Sequence, residues 1–278
     1  MTIEIGEFGI FRRASETTPE IAQEVERLGF GALWLGGSPS GDFESIERLL
    51  EQTDSIPIAT GIVNMWHDTA STVANSYHRV SEHHPERFLL GVGIGHPEAT
   101  SDYRRPFATI IDYLGQLDAA GVPRENVVLA ALGPKVLAAA AERTRGAHPY
   151  LTTPRHTRMA RDIIGDGPLL APEQTVVVES DQERARDIGR TMVSRYLELV
   201  SYHNNLLREG WTEADLTDGG SNQLVDELVL AGTPEAIVAS IRRHLIAGAD
   251  HVAIQTLGPD PLLGYRALAE VLFGIEPQ

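Results

Sequence analysis

The sequence predicts an α/β protein folded as a (β/α)8 TIM barrel. One phrase, a short apolar run, a Gly/Pro/Asp corner and a helix-period segment, recurs along the 278 residues. Eight such units over roughly 250 residues match that barrel's usual length. A doubly wound sheet would carry a Gly-rich fingerprint after its first strand, but Phe11-Arg12-Arg13 stands there.

Ile3 to Ile10 alternates as a first strand, and Thr18 with Pro19 opens a helix carrying Ile21, Val25 and Leu28 on one face. Phe30 to Leu35 is the second strand, followed by a helix from Asp42 to Gln52. Ile56 to Val63 is the third, and Asp68 caps a helix with Ala70, Val73, Ala74 and Tyr77 inward. Phe88 to Ile94 is the fourth, with a helix from Arg105 to Ala120. Val127 to Ala131 is the fifth, and Pro134 starts its helix. His148 to Leu151 is a short sixth, before a Pro154-initiated helix bearing Met159, Ala160, Ile163 and Ile164. Thr175 to Val178 is the seventh; Ser180 and Glu183 read as a capping box opening a long helix to Leu207. Polar residues from Gly210 to Asn222 interrupt before Thr233 and Pro234 open a helix with Ile237, Ile241 and Leu245 on one side. His251 to Gln255 is the eighth strand, and Leu262 to Phe273 the closing helix. No composition break divides the chain, so residues 1–278 are expected to form one barrel domain. The stretch near 208–224 is expected to be an insertion, a lid or packing loop.

Composition narrows the function. With 39 acidic and 23 basic residues the net charge is −16, which argues against nucleic acid or an anionic membrane as main partner. Cysteine is absent, which excludes disulfides, thiol nucleophiles and cysteine-bound metals. The alternating start does not resemble a signal peptide and no apolar run approaches a membrane span, so a cytoplasmic protein is expected.

In a barrel the site forms just after the strands. Those corners, among them Gly36-Gly37-Ser38, Asn64-Met65-Trp66-His67, Gly95-His96, Leu132-Gly133-Pro134-Lys135 and Thr152-Thr153, are rich in glycine, hydroxyls and imidazole and poor in carboxylates. A glycosidase needs two facing carboxylates. A metal-dependent hydrolase needs spaced ligands, which His67, His83, His84 and His96 do not make. No Gly-x-Ser-x-Gly elbow occurs, and Lys135 lies past a strand end, which disfavours a Schiff-base lysine. Lys135 is also the only lysine, beside 22 arginines. Gly133-Pro134-Lys135 opens an Ala-rich helix, whose free N–H groups favour an anion. Two readings fit it: a phosphate pocket, or a plain strand-to-helix corner. What remains is a Gly-lined pocket where an organic cofactor brings the reactivity.

Four motifs resemble the bacterial luciferase-like oxidoreductase family: Ala59-Thr60-Gly61-Ile62-Val63-Asn64, Arg87-Phe88-Leu89-Leu90-Gly91-Val92-Gly93-Ile94-Gly95-His96, Ala131-Leu132-Gly133-Pro134-Lys135, and Gly232-Thr233-Pro234-Glu235-Ala236-Ile237 with Gly248-Ala249-Asp250. The resemblance covers nearly the whole chain, in order, and looks closest to the actinobacterial branch using coenzyme F420, a deazaflavin. It implies a luciferase-like barrel with the tricyclic ring at the strand C-termini, a small-molecule substrate and a possible homodimer. Relatives carry a non-proline cis peptide where Gly61-Ile62 falls, backing the ring. Asn64 and Trp66 should then face ring or substrate, Trp66 as a catalytic candidate, and Gly93 and Gly95 leave room for the ring. His96 is the candidate proton donor, since an imidazole can donate near neutral pH. The cofactor phosphate should meet Ala131, Leu132, Gly133, Pro134, Thr152 and Thr153, with Lys135 adding charge.

One pair of positions departs from the family. Several deazaflavin relatives carry an Asp-His pair after the second strand, where this chain has Gly37-Ser38, which are expected to contact the cofactor there. The expected activity is hydride transfer between F420 and an organic substrate. The alternatives are an FMN-dependent monooxygenase and a flavin- or deazaflavin-binding protein without turnover.

Overall fold

The computed structural model describes residues 3–96 and 105–275. The strands are β1 (Phe8–Arg13), β2 (Leu33–Gly36), β3 (Ile58–Gly61), β4 (Val63–Asn64), β5 (Phe88–Gly93), β6 (Val127–Leu129), β7 (Gly146–Ala147), β8 (Leu169–Leu170), β9 (Glu173–Val177), β10 (Val229–Ala231) and β11 (Val252–Leu257). Between and after them run α1 (Pro19–Arg27), α2 (Glu44–Glu51), α3 (Ala70–His83), α4 (Pro106–Ala119), α5 (Pro134–Arg143), α6 (Pro154–Ile164), α7 (Gln182–Leu197), α8 (Val200–Glu209), α9 (Glu213–Leu216), α10 (Asn222–Leu228), α11 (Pro234–Ile246) and α12 (Pro261–Phe273).

All strand pairings are parallel, in the order β11-β1-β2-β3-β5-β6-β7-β8, with β4 beside β5. β8 and β9 are one stretch bent at Ala171-Pro172. β8 pairs with β7, β9 pairs with β11, and Ala171 N–H to Ala147 O and Ala253 N–H to Pro172 O carry the ladders across the bend. The ring therefore closes as the expected eight-stave barrel.

Alternation divides the core into two layers. Ile10, Leu33, Leu35, Ile58, Leu90, Leu129 and Ile254 point outward against the helices, while Phe11, Trp34, Ala59, Leu89, Val128 and Ala253 fill the interior. Ile3 and Ile5, expected to begin the first strand, precede β1 and belong to this inner cluster.

The third stave carries a one-residue bulge. β3 pairs Ala59 with Leu89 and β4 pairs Val63 with Val92, so four steps on one side oppose three on the other. The Gly61–Ile62 peptide inside the bulge is cis. Thr60 bridges the interrupted ladder: its hydroxyl donates to Gly91 O and accepts from Gly91 N–H, both at 2.8 Å.

Several elements differ from the sequence expectation for local reasons. The sixth stave is Gly146–Ala147, with His148 following it, and the seventh begins at Leu169. Thr69, not Asp68, caps α3, accepting from Thr72 N–H. Asp181, not Ser180, caps α7, because its carboxylate takes the N–H groups of Glu183 and Arg184. The expected long helix to Leu207 is two, α7 and α8, and Ile163 is exposed while His156 and Thr157 are buried. The polar stretch after Gly210 contains α9 and leads into α10 and an additional strand, β10, which lies on the opposite side of β9 from β11. No helix among the described residues is long and apolar enough to cross a membrane.

Two glycines in this frame should respond oppositely to alanine. A Cβ on Gly91 would lie 1.8 Å from Thr60 O, whereas one on exposed Gly115, inside α4, meets nothing within 4 Å. In thermal melts Gly91→Ala is expected to destabilise severely or prevent folding. Gly115→Ala should stabilise by about 0.5–1 kcal/mol through helix propensity.

Candidate active site

The floor of the strand-end mouth is set by what fills the barrel. Trp34 is fully buried, and its indole N–H donates to His251 Nε2 at 2.9 Å; His251 Nδ1–H in turn donates to Gly6 O at 2.8 Å. His148 stacks on Trp34 at 4.2 Å and donates from Nδ1 to Ala171 O at 2.6 Å. Burial lowers both imidazoles to about 4, so both are neutral at physiological pH. Phe11 lies above, stacked on His148 at 5.9 Å. A Cβ on Gly36 or Gly61 would come within 2.4 or 2.6 Å of the Phe11 ring, so these glycines make room for it.

Over this floor, the β3–β5 side is smooth backbone. Gly61, Ile62, Ile94, Gly95 and His96 are half-buried, and Gly93 packs so closely that a Cβ would lie 2.9 Å from Ile62 and Ala130. Asn64 is buried and works within the turn: its side-chain oxygen accepts from Trp66 N–H at 3.0 Å, and its amide nitrogen would lie 2.8 Å from a Cβ on Gly95. Gly95 has φ +62°, a conformation glycine adopts at little cost. His96 ends this side, with Nδ1 3.1 Å from Ser201 Oγ on α8 and its ring 5.4 Å from Tyr202. Trp66 is half-buried beyond Asn64, and Gly37 and Ser38 lie exposed in the loop after β2.

The expected phosphate corner is divided. Leu132 and Gly133 are half-buried at the mouth, Pro134 begins α5, and a Cβ on Gly133 would meet nothing within 4 Å. Lys135 is exposed on the first turn, with Nζ 4.0 Å from the centre of the Phe107 ring. Ala131 faces the outer core instead. Thr152 and Thr153 are buried, and the Thr152 hydroxyl has no hydrogen-bond partner. Thr153 caps α6 through His156 N–H and donates to buried Glu209 at 2.6 Å. Asn205 donates to the same carboxyl at 2.9 Å, and burial raises it to about 7.

Sequence reasoning missed the remaining side. Tyr150, leaving β7, donates to Gln255 Oε1 at 2.9 Å and contacts the rings of Phe11 (5.2 Å) and Tyr196 (5.3 Å); Tyr196 contacts Tyr202 at 4.9 Å. Beneath them Glu173 is fully buried, accepting from Leu151 N–H at 2.9 Å and Thr175 Oγ at 2.6 Å. Its signal was a glutamate just ahead of the run Thr175 to Val178; Tyr150 fell in the expected sixth strand, and Tyr196 and Tyr202 within the expected long helix.

Burial raises Glu173 from 4.5 to about 7, so folding favours its protonated form. That preference is fully expressed below pH 4.5 and is lost as pH rises through about 7. Glu173→Gln should therefore gain stability relative to the parent between pH 5 and pH 7.5 and then level off. The gain should total about 3 kcal/mol, read by denaturant melts across pH.

No family model and no curated protein matches the chain in sequence. Solved structures match its fold. An F420-dependent secondary alcohol dehydrogenase in complex with an F420-acetone adduct superposes with TM-score 0.75 at 15% identity, over 98% of this chain and 99% of that one. A coenzyme F420 dependent tetrahydromethanopterin reductase from Methanopyrus kandleri gives 0.71 at 15% identity, over 97% and 99%. The oxygenating constituent of 3,6-diketocamphane monooxygenase from Pseudomonas putida, a type II Baeyer-Villiger monooxygenase in complex with FMN, gives 0.70 at 12%, over 98% and 99%. At these identities the likeness establishes one thing: the chain has the barrel fold shared by these F420 and FMN proteins.

Proposed function

We propose that this chain is a luciferase-like oxidoreductase that uses coenzyme F420 and transfers a hydride between the deazaflavin and a small organic substrate. The observation that carries this reading is the mouth itself. A smooth bulge at Gly61–Ile62 and the half-exposed Gly95–His96 corner form one side, and the open helix start at Gly133 stands on the next stave. These residues fit a flat ring with an anionic tail: backbone without side chains for the ring, and an uncrowded helix N-terminus for the charge. The buried, unpartnered Thr152 hydroxyl, in the loop after the neighbouring stave β7, is a further polar group. The likeness to two F420-dependent proteins supports the choice of coenzyme.

When bound, the deazaflavin supplies two-electron hydride chemistry. The chain's own residues do the rest. Gly61 and Ile62 would back the ring, and Asn64 holds the Trp66 turn and packs against Gly95. Gly133, Pro134 and Lys135 would orient the anionic tail. His96 would hold the proton for the substrate, with Nδ1 3.1 Å from the Ser201 hydroxyl, which donates to the neutral ring and accepts from the protonated one.

A second reading, an FMN-dependent monooxygenase, is favoured by one feature. Gly37-Ser38 occupies the place of the Asp-His pair carried by several deazaflavin relatives, and the FMN-bound monooxygenase shares the fold.

Titration with oxidised F420 and, separately, FMN, followed by fluorescence quenching, tests the proposal. F420 is expected to bind at least ~10-fold more tightly, a difference of about 1.4 kcal/mol. Preference for FMN would shift the reading to oxygen chemistry, and binding of neither by folded protein would overturn both. His96→Ala should lower kcat by ~10²–10⁴-fold while leaving cofactor affinity nearly unchanged, in steady-state kinetics paired with the same titration.

A further inference from the structure

The mouth has two unlike sides. The β3–β5 side is bare backbone, but the other is a continuous series of aromatic rings drawn from β1, the exit of β7, α7 and α8. Phe11 and Tyr202 are buried, whereas Tyr150 and Tyr196 are only partly buried, so the two outer rings are braced from behind by the two inner ones. Tyr150 is also fixed at its tip by Gln255. Tyr150 and Tyr196 meet at 41° with ring centres 5.3 Å apart, and the series ends on His96 through Tyr202.

We propose that Tyr150 and Tyr196 form the substrate platform of this mouth and that the substrate is a flat, conjugated carbonyl or aromatic compound. The proposal deepens the oxidoreductase reading and rests on it for the word substrate. The chemistry follows from the rings. A braced aromatic face gives a saturated molecule only area burial, whereas a π-system also gains from the ring quadrupoles, worth ~3–10-fold in affinity for a well-placed pair. Fixed rings also lose little freedom when a ligand stacks on them. The platform ends beside His96, so a stacked carbonyl compound would lie near the group proposed to exchange its proton.

Two probes of the same skeleton isolate flatness: 1,4-naphthoquinone and its saturated counterpart, decalin-1,4-dione. The chain has no cysteine to form quinone adducts. Isothermal titration calorimetry would be run on the full chain, alone and with oxidised F420 or FMN so that no turnover occurs. The quinone is expected to bind ~10-fold more tightly than the dione. Tyr196→Leu should remove most of that preference, Tyr196→Phe should keep it, and both should bind the cofactor like the parent. Equal affinity for the two probes, or an undiminished preference in folded Tyr196→Leu, would overturn the platform. If Tyr196→Leu does not fold, the parent's preference and its retention in Tyr196→Phe decide the matter. Cofactor binding without the preference would sink the platform and spare the oxidoreductase reading; the preference without cofactor binding would do the reverse.

Discussion

The architecture turns on how the barrel's lumen is filled. An eight-strand barrel has an interior just wide enough for side chains, and this one places an indole at its centre. A buried indole N–H needs an acceptor, since an unmet donor costs about 1–3 kcal/mol. His251 supplies one and donates its own Nδ1–H to Gly6 O. His148 covers the other part of the indole and is held by Ala171 O at the bend between β8 and β9. The same residues that fill the lumen thus tie the chain's start and the barrel's closing stave to it. Because these imidazoles are held neutral, the interior carries no charge from them despite its polar atoms.

Large rings inside force small residues opposite. Gly9 faces His251, and Gly36 and Gly61 face Phe11; a Cβ on any of them would come within 2.8 Å of a neighbouring ring. The glycines that border the mouth therefore have two physical origins. Some are small because of what lies below them, and others, such as Gly133, border open space above. Both leave a mouth edged by backbone, which is the surface a flat group can approach most closely. On the opposite side α7 and α8 bring tyrosines over the strand ends, and the bond between Thr153 and Glu209 fastens α8 to the start of α6.

Much of this was legible in the sequence. The feature at Gly61-Ile62 came from the family resemblance, whereas the alternation up to Ile10 and the Pro134, Pro154 and Pro234 helix starts are local signals. Local chemistry decides them: proline fixes φ, and alternation fixes which side is buried. The staves that were misplaced, β7 and the start of β9, are short or carry polar residues, and only the ring around them makes them strands. Glu173 lay outside the expected strands for the same reason, and Tyr150, expected inside the sixth strand, instead follows it. Their roles come from partners distant in sequence, such as Gln255 for Tyr150 and the Leu151 amide for Glu173. Lys135 shows the converse. Its solitude was visible at once, but its resting place over Phe107 depends on α4 packing beside α5.

That lysine has a practical corollary. Apart from the amino terminus, Lys135 is the one primary amine of the chain, and there are no thiols. It stands exposed on the first turn of α5, at the rim of the strand ends and on a rigid helix. An amine-reactive dye would attach to a single internal address without any engineered cysteine. The three tryptophans provide natural energy donors. The unmodified sequence therefore contains a spectroscopic ruler whose acceptor end is fixed beside the mouth.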